Sequence, residues 1–324
     1  MRILVVGGAG YIGSHAVRCL LNNKHEVVVL DNLVTGHQKA VDPAAKFYYG
    51  DLLDTFLVQD ILRKEKIDAV MHFAAYSLVP ESVKKPLKYF ENNVTGMISL
   101  IKAMQSAGVD NLIFSSSAAT YGMPNVAKIT EETEQKPINP YGETKLMMEH
   151  IIKWSGIKYV ALRYFNVGGS AGDIGEDHNP ETHLIPNILS SLNTGKEMTI
   201  FGDDYDTKDG TNVRDYVEVN DLADAHLLAL EYLLKTGKSD AFNLGTANGY
   251  SNLEIVKACE EVTGIKVNYH IGPRRGGDPD TLIADSTKAR SVLGWKPQRE
   301  NVKEVIKSAW EWHKNHSFGF NDHR

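Results

Sequence analysis

The stretch VVGGAGYIGSH, residues 5–15, follows an apolar run that begins at Arg2 and sets Gly7, Gly10 and Gly13 at G-x-x-G-x-x-G spacing. A chain that leaves a strand through such a turn and enters a helix has few folds open to it. The first glycine permits the tight turn, and the second lets the backbone approach a pyrophosphate. The third lets the helix sit close to the strand, while the helix N-terminus offers N–H groups and a positive dipole. A second apolar run, EVVVLD, ends at Asp31. A carboxylate there can accept ribose hydroxyls of an adenosine and repels a 2′-phosphate, so this order of elements implies NAD over NADP.

The runs RILVVGG, EVVVLD, DAVMHFAA and NLIFSSS have the continuous apolar character of buried parallel strands, with helical patterns between them. KYVALRYFN, EMTIFG, AFNLG and VNYHIG are further strand candidates. Such alternation implies right-handed βαβ units and an α/β fold, a doubly wound parallel Rossmann-type sheet with a smaller C-terminal α/β substrate-binding region. The expected division is an NAD-binding domain over residues 1–166 and a mainly substrate-binding region over 167–324, some of whose elements return to the first domain. Long polar segments in the second part, GGSAGDIGEDHNPETH and GDDYDTKDGTNVRD, are expected to form a ligand lid.

Lys plus Arg number 35 against 41 Asp plus Glu, a formal net charge of −6 that argues against a nucleic-acid or anionic-membrane partner. An anionic ligand must then be met by a few locally placed arginines. No apolar run approaches the ~20 residues that span a bilayer, and MRILVVGG leaves no room for a leader, so the expected compartment is cytoplasmic. Cys19 and Cys259 do not make a disulfide framework or a zinc site, and the 12 histidines show no HExxH spacing, so no metal centre is expected. The aromatic WEWHK segment reads as a packed terminal helix, with His313 and His316 on a solvated tail.

NPYGETKLMMEH, residues 139–150, reads as a helix start, with Asn139 as N-cap and Pro140 at the first helical position. Leu146, Met147, Ile151 and Trp154 recur at roughly helical spacing and are expected to form the core face. Tyr141 and Lys145 are four apart, which places a phenol and an ammonium on one face. A free tyrosine has a pKa of ~10; lowering it by ~3 units needs ~4 kcal/mol of preferential phenolate stabilisation. A nearby ammonium and a nicotinamide cation can supply this, and the tyrosine then takes a proton from a sugar hydroxyl as hydride leaves the same carbon. A serine hydroxyl completes the set. Ser115, Ser116 and Ser117, at the end of NLIFSSS, are all candidates on spacing.

The wide first glycine gap, paired with Y-x-x-x-K, resembles the short-chain dehydrogenase/reductase superfamily. The stretches GGAGYIGSH, VVLDN, MHFAA, ESVKKPLKYFENNVTG, IFSSSAATYG, PYGETKLMME, LRYFN, GTNVRDYVEVNDLADAH, FNLG and PRRGGDP together resemble its extended branch, the UDP-glucose 4-epimerases, over nearly the whole chain. The resemblance implies reversible NAD-dependent interconversion of UDP-galactose and UDP-glucose through a 4-keto sugar that turns in its pocket, within galactose metabolism. It makes Tyr141 the base and acid, Lys145 the residue that tunes it and holds the nicotinamide ribose, and Ser117 the partner of the sugar O4. On the cofactor side it implies Gly7, Gly10, Tyr11, Ile12 and Gly13 at the pyrophosphate. Asp31, Asn32 and the loop to Gly36 fall at the adenosine, Asp51 and Leu52 at the adenine, and Phe73, Ala74, Ala75 and Asn92 along the cofactor. For the UDP-sugar it points to Phe165, Asn166, Arg214, Tyr216, Arg275 and Asp278. Arginine with bidentate reach suits a diphosphate and a carboxylate suits a ribose, although Arg214 within VRDY equally suits an internal salt bridge.

The chain departs from the family pattern at three places. Ser77 stands where one bacterial branch has lysine, His183 where that branch has asparagine, and Leu282 occupies the position linked to the admitted C2 substituent. A 4,6-dehydratase on the same scaffold needs a further acid and base near the serine strand, and Ser115 to Gly122 contain no carboxylate. A non-catalytic NAD-sensing protein would retain the glycines without Tyr141, Lys145 and the serines. The resemblance also implies a homodimer through a four-helix contact that uses LMMEHII and the helix near NNVTGMISLIKAM.

Overall fold

The computed structural model describes residues 1–276 and 278–321. Its strands in chain order are β1 (Arg2–Val6), β2 (Glu26–Asp31), β3 (Lys46–Tyr49), β4 (Ala69–His72), β5 (Asn111–Ser115), β6 (Lys158–Tyr164), β7 (Asn166–Gly168), β8 (Met198–Phe201), β9 (Val213–Glu218), β10 (Asp240–Leu244), β11 (Gly249–Ser251), β12 (Tyr269–Gly272) and β13 (Thr281–Leu282). The helices are α1 (Tyr11–Asn22), α2 (Thr55–Lys64), α3 (Val79–Lys84), α4 (Pro86–Tyr89), α5 (Gly96–Ala107), α6 (Pro140–Ser155), α7 (Leu184–Thr194), α8 (Val219–Thr236), α9 (Asn252–Thr263) and α10 (Val302–Asn315). A π-helical turn, Phe90–Thr95, joins α4 to α5.

Seven strands form one sheet in the order β10-β6-β5-β4-β1-β2-β3, and every pairing in it is parallel. The alternation of side chains along a strand sorts its apolar residues onto two faces. Ile3, Val5, Val27, Val29, Ile113 and Val160 meet α1 and α8, whereas Leu4, Val6, Val28, Leu30, Leu112 and Phe114 meet α2, α5 and α6. Each such buried side chain contributes roughly 1.5–3 kcal/mol by leaving water. The strand order turns back at β1, so β1 and β4 diverge in their connections and open a crevice at their carboxyl ends.

The second part of the chain does not keep to itself. β10 is an edge strand of the main sheet, and α8 covers that sheet beside α1. The remaining C-terminal elements build a core in which α7, α9 and α10 pack round β9. β9 pairs with β7, β11 and β13, and β8 pairs with β12. β3, β9, β11 and β13 lie outside the strand candidates read from apolar runs. In β9 the reason is chemical: Arg214, Asp215 and Glu218 are buried charges within a strand, where an apolar pattern is expected.

Helix α6 begins as expected, with the Asn139 side chain accepting from Gly142 N at 2.9 Å. Its rotation differs from the expectation. Leu146 is buried as expected, but Trp154 is 86% exposed and Met147 and Ile151 are half-buried, whereas Met148 and Ile152 join the core and Lys145 and Glu149 are buried beside them. Polar residues with partners occupy the inward face, so hydrophobicity alone misplaces it. Glu149 makes a two-point pair with Arg163 of β6, at 3.0 and 2.6 Å, and accepts from Ser116 Oγ. The terminal segment also packs more than expected: Trp312 is buried and stacks on His316 with centroids 4.7 Å apart.

Replacing Glu149 by Gln leaves the Arg163 charge buried without its counter-ion. Such a loss costs about 3–5 kcal/mol. Urea denaturation followed by tryptophan fluorescence checks it.

Candidate active site

Gly7 ends the β1 turn at φ +80°, and a Cβ there would lie 2.6 Å from Ala74 N. A Cβ on Gly13 would lie 2.1 Å from Gly7 O, so only glycine lets α1 start this close to the loop. Asp31 closes the same loop. Its carboxylate accepts from Ala9 N at 2.9 Å and from Leu33 N at 2.8 Å, and burial raises its pKa. The acid therefore braces the glycine turn and lines the crevice at the carboxyl ends of the strands.

That crevice is an open cleft. Gly7, Gly10, Asp31, Asn32, Asp51 and Leu52 line it together with Phe73, Ala74, Ala75 and Asn92. Asn32 Nδ2 donates to Asp51 Oδ2 at 2.9 Å, which joins the β2 and β3 ends of the cleft. Gly36 sits against Ala9 behind the turn, and Ile12 packs into the sheet core. Tyr11 points away: its hydroxyl donates to Gly169 O at 2.7 Å, which leaves only its backbone toward a pyrophosphate. The close fit of glycine backbone, helix N-terminus and an acid at the end of β2 matches the demands of a dinucleotide.

Lys145 lies 3% exposed beneath the carboxyl end of β5, and its Nζ donates to Ser115 O at 2.7 Å. Burial draws its pKa down to about 7. Its ammonium is 5.9 Å from the Tyr141 ring centroid. Burial raises the Tyr141 pKa, and a hydrogen bond with Ser117 offsets part of that rise. Tyr141, Lys145 and Ser117 thus form one group. Of the serine candidates, Ser116 is tied to Glu149 and Ser115 to His226 Nε2 at 3.0 Å, which leaves Ser117 beside the phenol.

Two supports of this group escaped sequence reasoning. Asn93, 1% exposed, accepts from Tyr76 N and donates to Tyr76 O and Thr144 Oγ1, so it joins the loop after β4 to the first turn of α6. His226 on α8 holds Ser115 from behind the sheet. Both lie in helices where an isolated polar residue gives no signal until its partner is known.

On the sugar-nucleotide side, β13 sets Leu282 beside Arg214 of β9. Arg214 pairs with Asp278, which also accepts from Asn212 Nδ2 at 2.6 Å. The internal salt bridge left open for Arg214 is therefore present, and its partner is another expected substrate residue. Arg275 lies over the Phe201 ring with its guanidinium carbon 4.0 Å from the centroid. Phe165 and Leu282 pack together against Ala118, next to Ser117, and Asn166 starts β7 immediately after. Tyr216 faces the C-terminal core, so its side chain is packing rather than lining. Ser77 is exposed in the loop after β4. His183 turns to Glu176 and Glu181, at 2.8 and 3.0 Å.

A methyl group on Gly13 meets backbone that cannot move aside. Gly13→Ala is expected to abolish NAD binding, read as loss of NADH fluorescence enhancement on titration, while circular dichroism stays native.

Sequence and structure comparisons agree with this geometry. The profile of the NAD dependent epimerase/dehydratase family matches residues 3–245. A UDP-glucose 4-epimerase from Lactobacillus helveticus is 69% identical, with 99% of this chain and 100% of that protein covered. The crystal structure of the Brucella ovis UDP-glucose 4-epimerase in complex with NAD superposes with a TM-score of 0.92 at 45% identity, covering 96% of this chain and 97% of that one. The Bifidobacterium longum enzyme, solved with NAD⁺ and UDP, gives a TM-score of 0.95 at 37% identity, covering 99% and 100%. The chain belongs to the NAD dependent epimerase/dehydratase family and, within it, to the UDP-glucose 4-epimerases.

Proposed function

We propose that this chain interconverts UDP-galactose and UDP-glucose by inverting C4 of the hexose, with NAD as a retained cofactor, and so acts in galactose metabolism. The observation that carries the reading is the convergence of Tyr141, Ser117 and Lys145 at the carboxyl edge of the sheet, next to the glycine-lined cleft. The glycine turn and Asp31 would hold the dinucleotide, and Lys145 its nicotinamide ribose. When bound, NAD would supply an acceptor for the C4 hydride and, in its reduced form, a donor for the 4-keto sugar.

The protein's own contribution is proton transfer and restraint. Tyr141 takes the O4 proton and gives it back, and Ser117 donates a hydrogen bond to the reacting oxygen. Arg214, Arg275 and Asp278 hold the UDP portion, so the hexose is tethered by its nucleotide and its ring stays free to turn. Phe165 and Leu282 bound the sugar pocket with apolar surface. In this reading residues 1–166 hold mainly NAD and residues 167–324 mainly the UDP-sugar. Among the described residues no helix is long and apolar enough to cross a membrane. The proposed compartment is the cytoplasm.

Purified protein incubated with UDP-galactose and no added NAD is expected to form UDP-glucose up to a fixed ratio, with no net NADH, as read by chromatography. Tyr141→Phe is expected to lower kcat by about 10²- to 10⁴-fold, the usual worth of a positioned base. Full activity in that variant removes the central step.

We also infer a homodimer. Trp154, Leu87 and Ile98 are exposed apolar side chains on or next to α6 and α5, where a second copy would cover them. Ile98→Glu with Trp154→Glu is expected to shift sedimentation from dimer to monomer.

A further inference from the structure

Glu176, His178, Glu181 and His183 come from one short segment between β7 and α7, and each offers a donor atom within 4.8 Å of all the others. The arrangement is a ring of alternating nitrogen and oxygen. His178 Nδ1 lies 3.3 Å from Glu176 Oε1 and 3.4 Å from Glu181 Oε2, and His183 Nδ1 lies 2.8 Å from Glu176 Oε1 and 3.0 Å from Glu181 Oε1. Four donors at ~2.0–2.1 Å around a tetrahedral zinc ion are about 3.3 Å apart, and these four nitrogen–oxygen separations lie within about 0.5 Å of that value. We propose that these four side chains form a binding site for a divalent transition-metal ion of the zinc class, which fixes this segment against the dinucleotide-binding turn.

Several independent features support the site. His178 Nδ1 is buried and has no aligned hydrogen-bond partner, although both carboxylates are near it. Two carboxylates neutralise a divalent cation, which removes the cost of burying an unbalanced charge. Glu181 is held in place by Thr182 N and His183 N at 2.7 and 2.8 Å, the kind of outer support that orients a ligand. The His183 side chain is 41% exposed and gives an ion a path in, while Glu176 at 7% closes the inner side. Imidazole nitrogen with carboxylate oxygen suits zinc, whereas calcium and magnesium require all-oxygen shells of higher coordination.

The position gives the ion a structural role. Tyr11, in the first turn of α1, lies edge-on to His178 with centroids 6.4 Å apart and donates to Gly169 O. The segment also begins α7, whose N-terminal flank is His183. An ion there would tie the mouth of the substrate region to the turn that holds the pyrophosphate, at a distance from the Tyr141 chemistry.

The test uses untagged full-length protein, dialysed against chelator and then titrated with Zn²⁺ alone by calorimetry, with bound metal counted by mass spectrometry. The expected result is one Zn²⁺ per chain, unaffected by excess Mg²⁺, with a higher Tm in its presence. His178→Ala and Glu181→Gln are each expected to weaken binding at least about tenfold and to abolish the Tm rise. No retained zinc in the wild type, or equal retention in both variants, overturns the site. If a variant fails to fold, the wild type gives the answer by mass spectrometry after diethyl pyrocarbonate treatment. Zn²⁺ protection of His178 and His183 supports the site, and unchanged modification of both overturns it.

Discussion

The Lys145 ammonium donates to the Ser115 carbonyl at 2.7 Å from a position that is 3% exposed, and much of the site's order follows from holding a lysine there. A buried lysine is tolerated only where its donors find acceptors and its helix cannot roll. Glu149, one turn on, supplies the restraint through its two contacts to Arg163. Arg163 in turn donates to the Tyr121 hydroxyl, which donates to Asn243 of β10. A chain of satisfied polar groups therefore runs from α6 across β6 to the edge strand, under the serines that end β5. Such a network costs desolvation and returns a single rotation of α6. That rotation aims Tyr141 at the carboxyl end of the sheet.

The opposite wall of the site is built with backbone. At β1 and β4 the chain needs close approach more than it needs side chains, and Gly7 and Gly13 provide it. Asp31 and Asn93 then brace loops through backbone groups, Asp31 at Ala9 and Leu33, Asn93 at Tyr76. Two different solutions thus meet in one crevice: a rigid polar network behind Tyr141, and a side-chain-poor turn where a dinucleotide would press against the main chain.

The glycine turn, the parallel strands and the Tyr141–Lys145 spacing are local patterns, so sequence periodicity and motif spacing reveal them. The misread face of α6 shows where locality fails. Trp154 looks like core because it is apolar, and Glu149 looks like surface because it is charged, yet Trp154 is exposed and Glu149 is buried against Arg163 on another element. The same holds for β9, whose charges are matched by distant partners: Arg214 by Asp278, and Asp215 by Thr246, Ala247 and Ala284. Arg214 carried two readings in sequence because its partner was not adjacent. His183 departs from the family pattern, and only the folded segment shows that Glu176, His178 and Glu181 surround it.

The protonation states at the site follow from the same burial. Desolvation favours the neutral form of each group, so it raises Tyr141 and lowers Lys145 to about 7. His72, buried beside Lys145 with neither ring nitrogen hydrogen-bonded, is pushed down to about 3 by burial and then by the lysine charge. It is therefore neutral across the range in which Lys145 gains and loses its charge. The Lys145 nitrogen lies 5.9 Å from the Tyr141 ring centroid, and at the phenol burial outweighs the Ser117 hydrogen bond. A second cation in the crevice would favour the phenolate, which would link proton transfer to dinucleotide occupancy. The dry, fixed surroundings that disfavour the phenolate by themselves also strengthen its attraction to that cation, since the same low dielectric governs both terms.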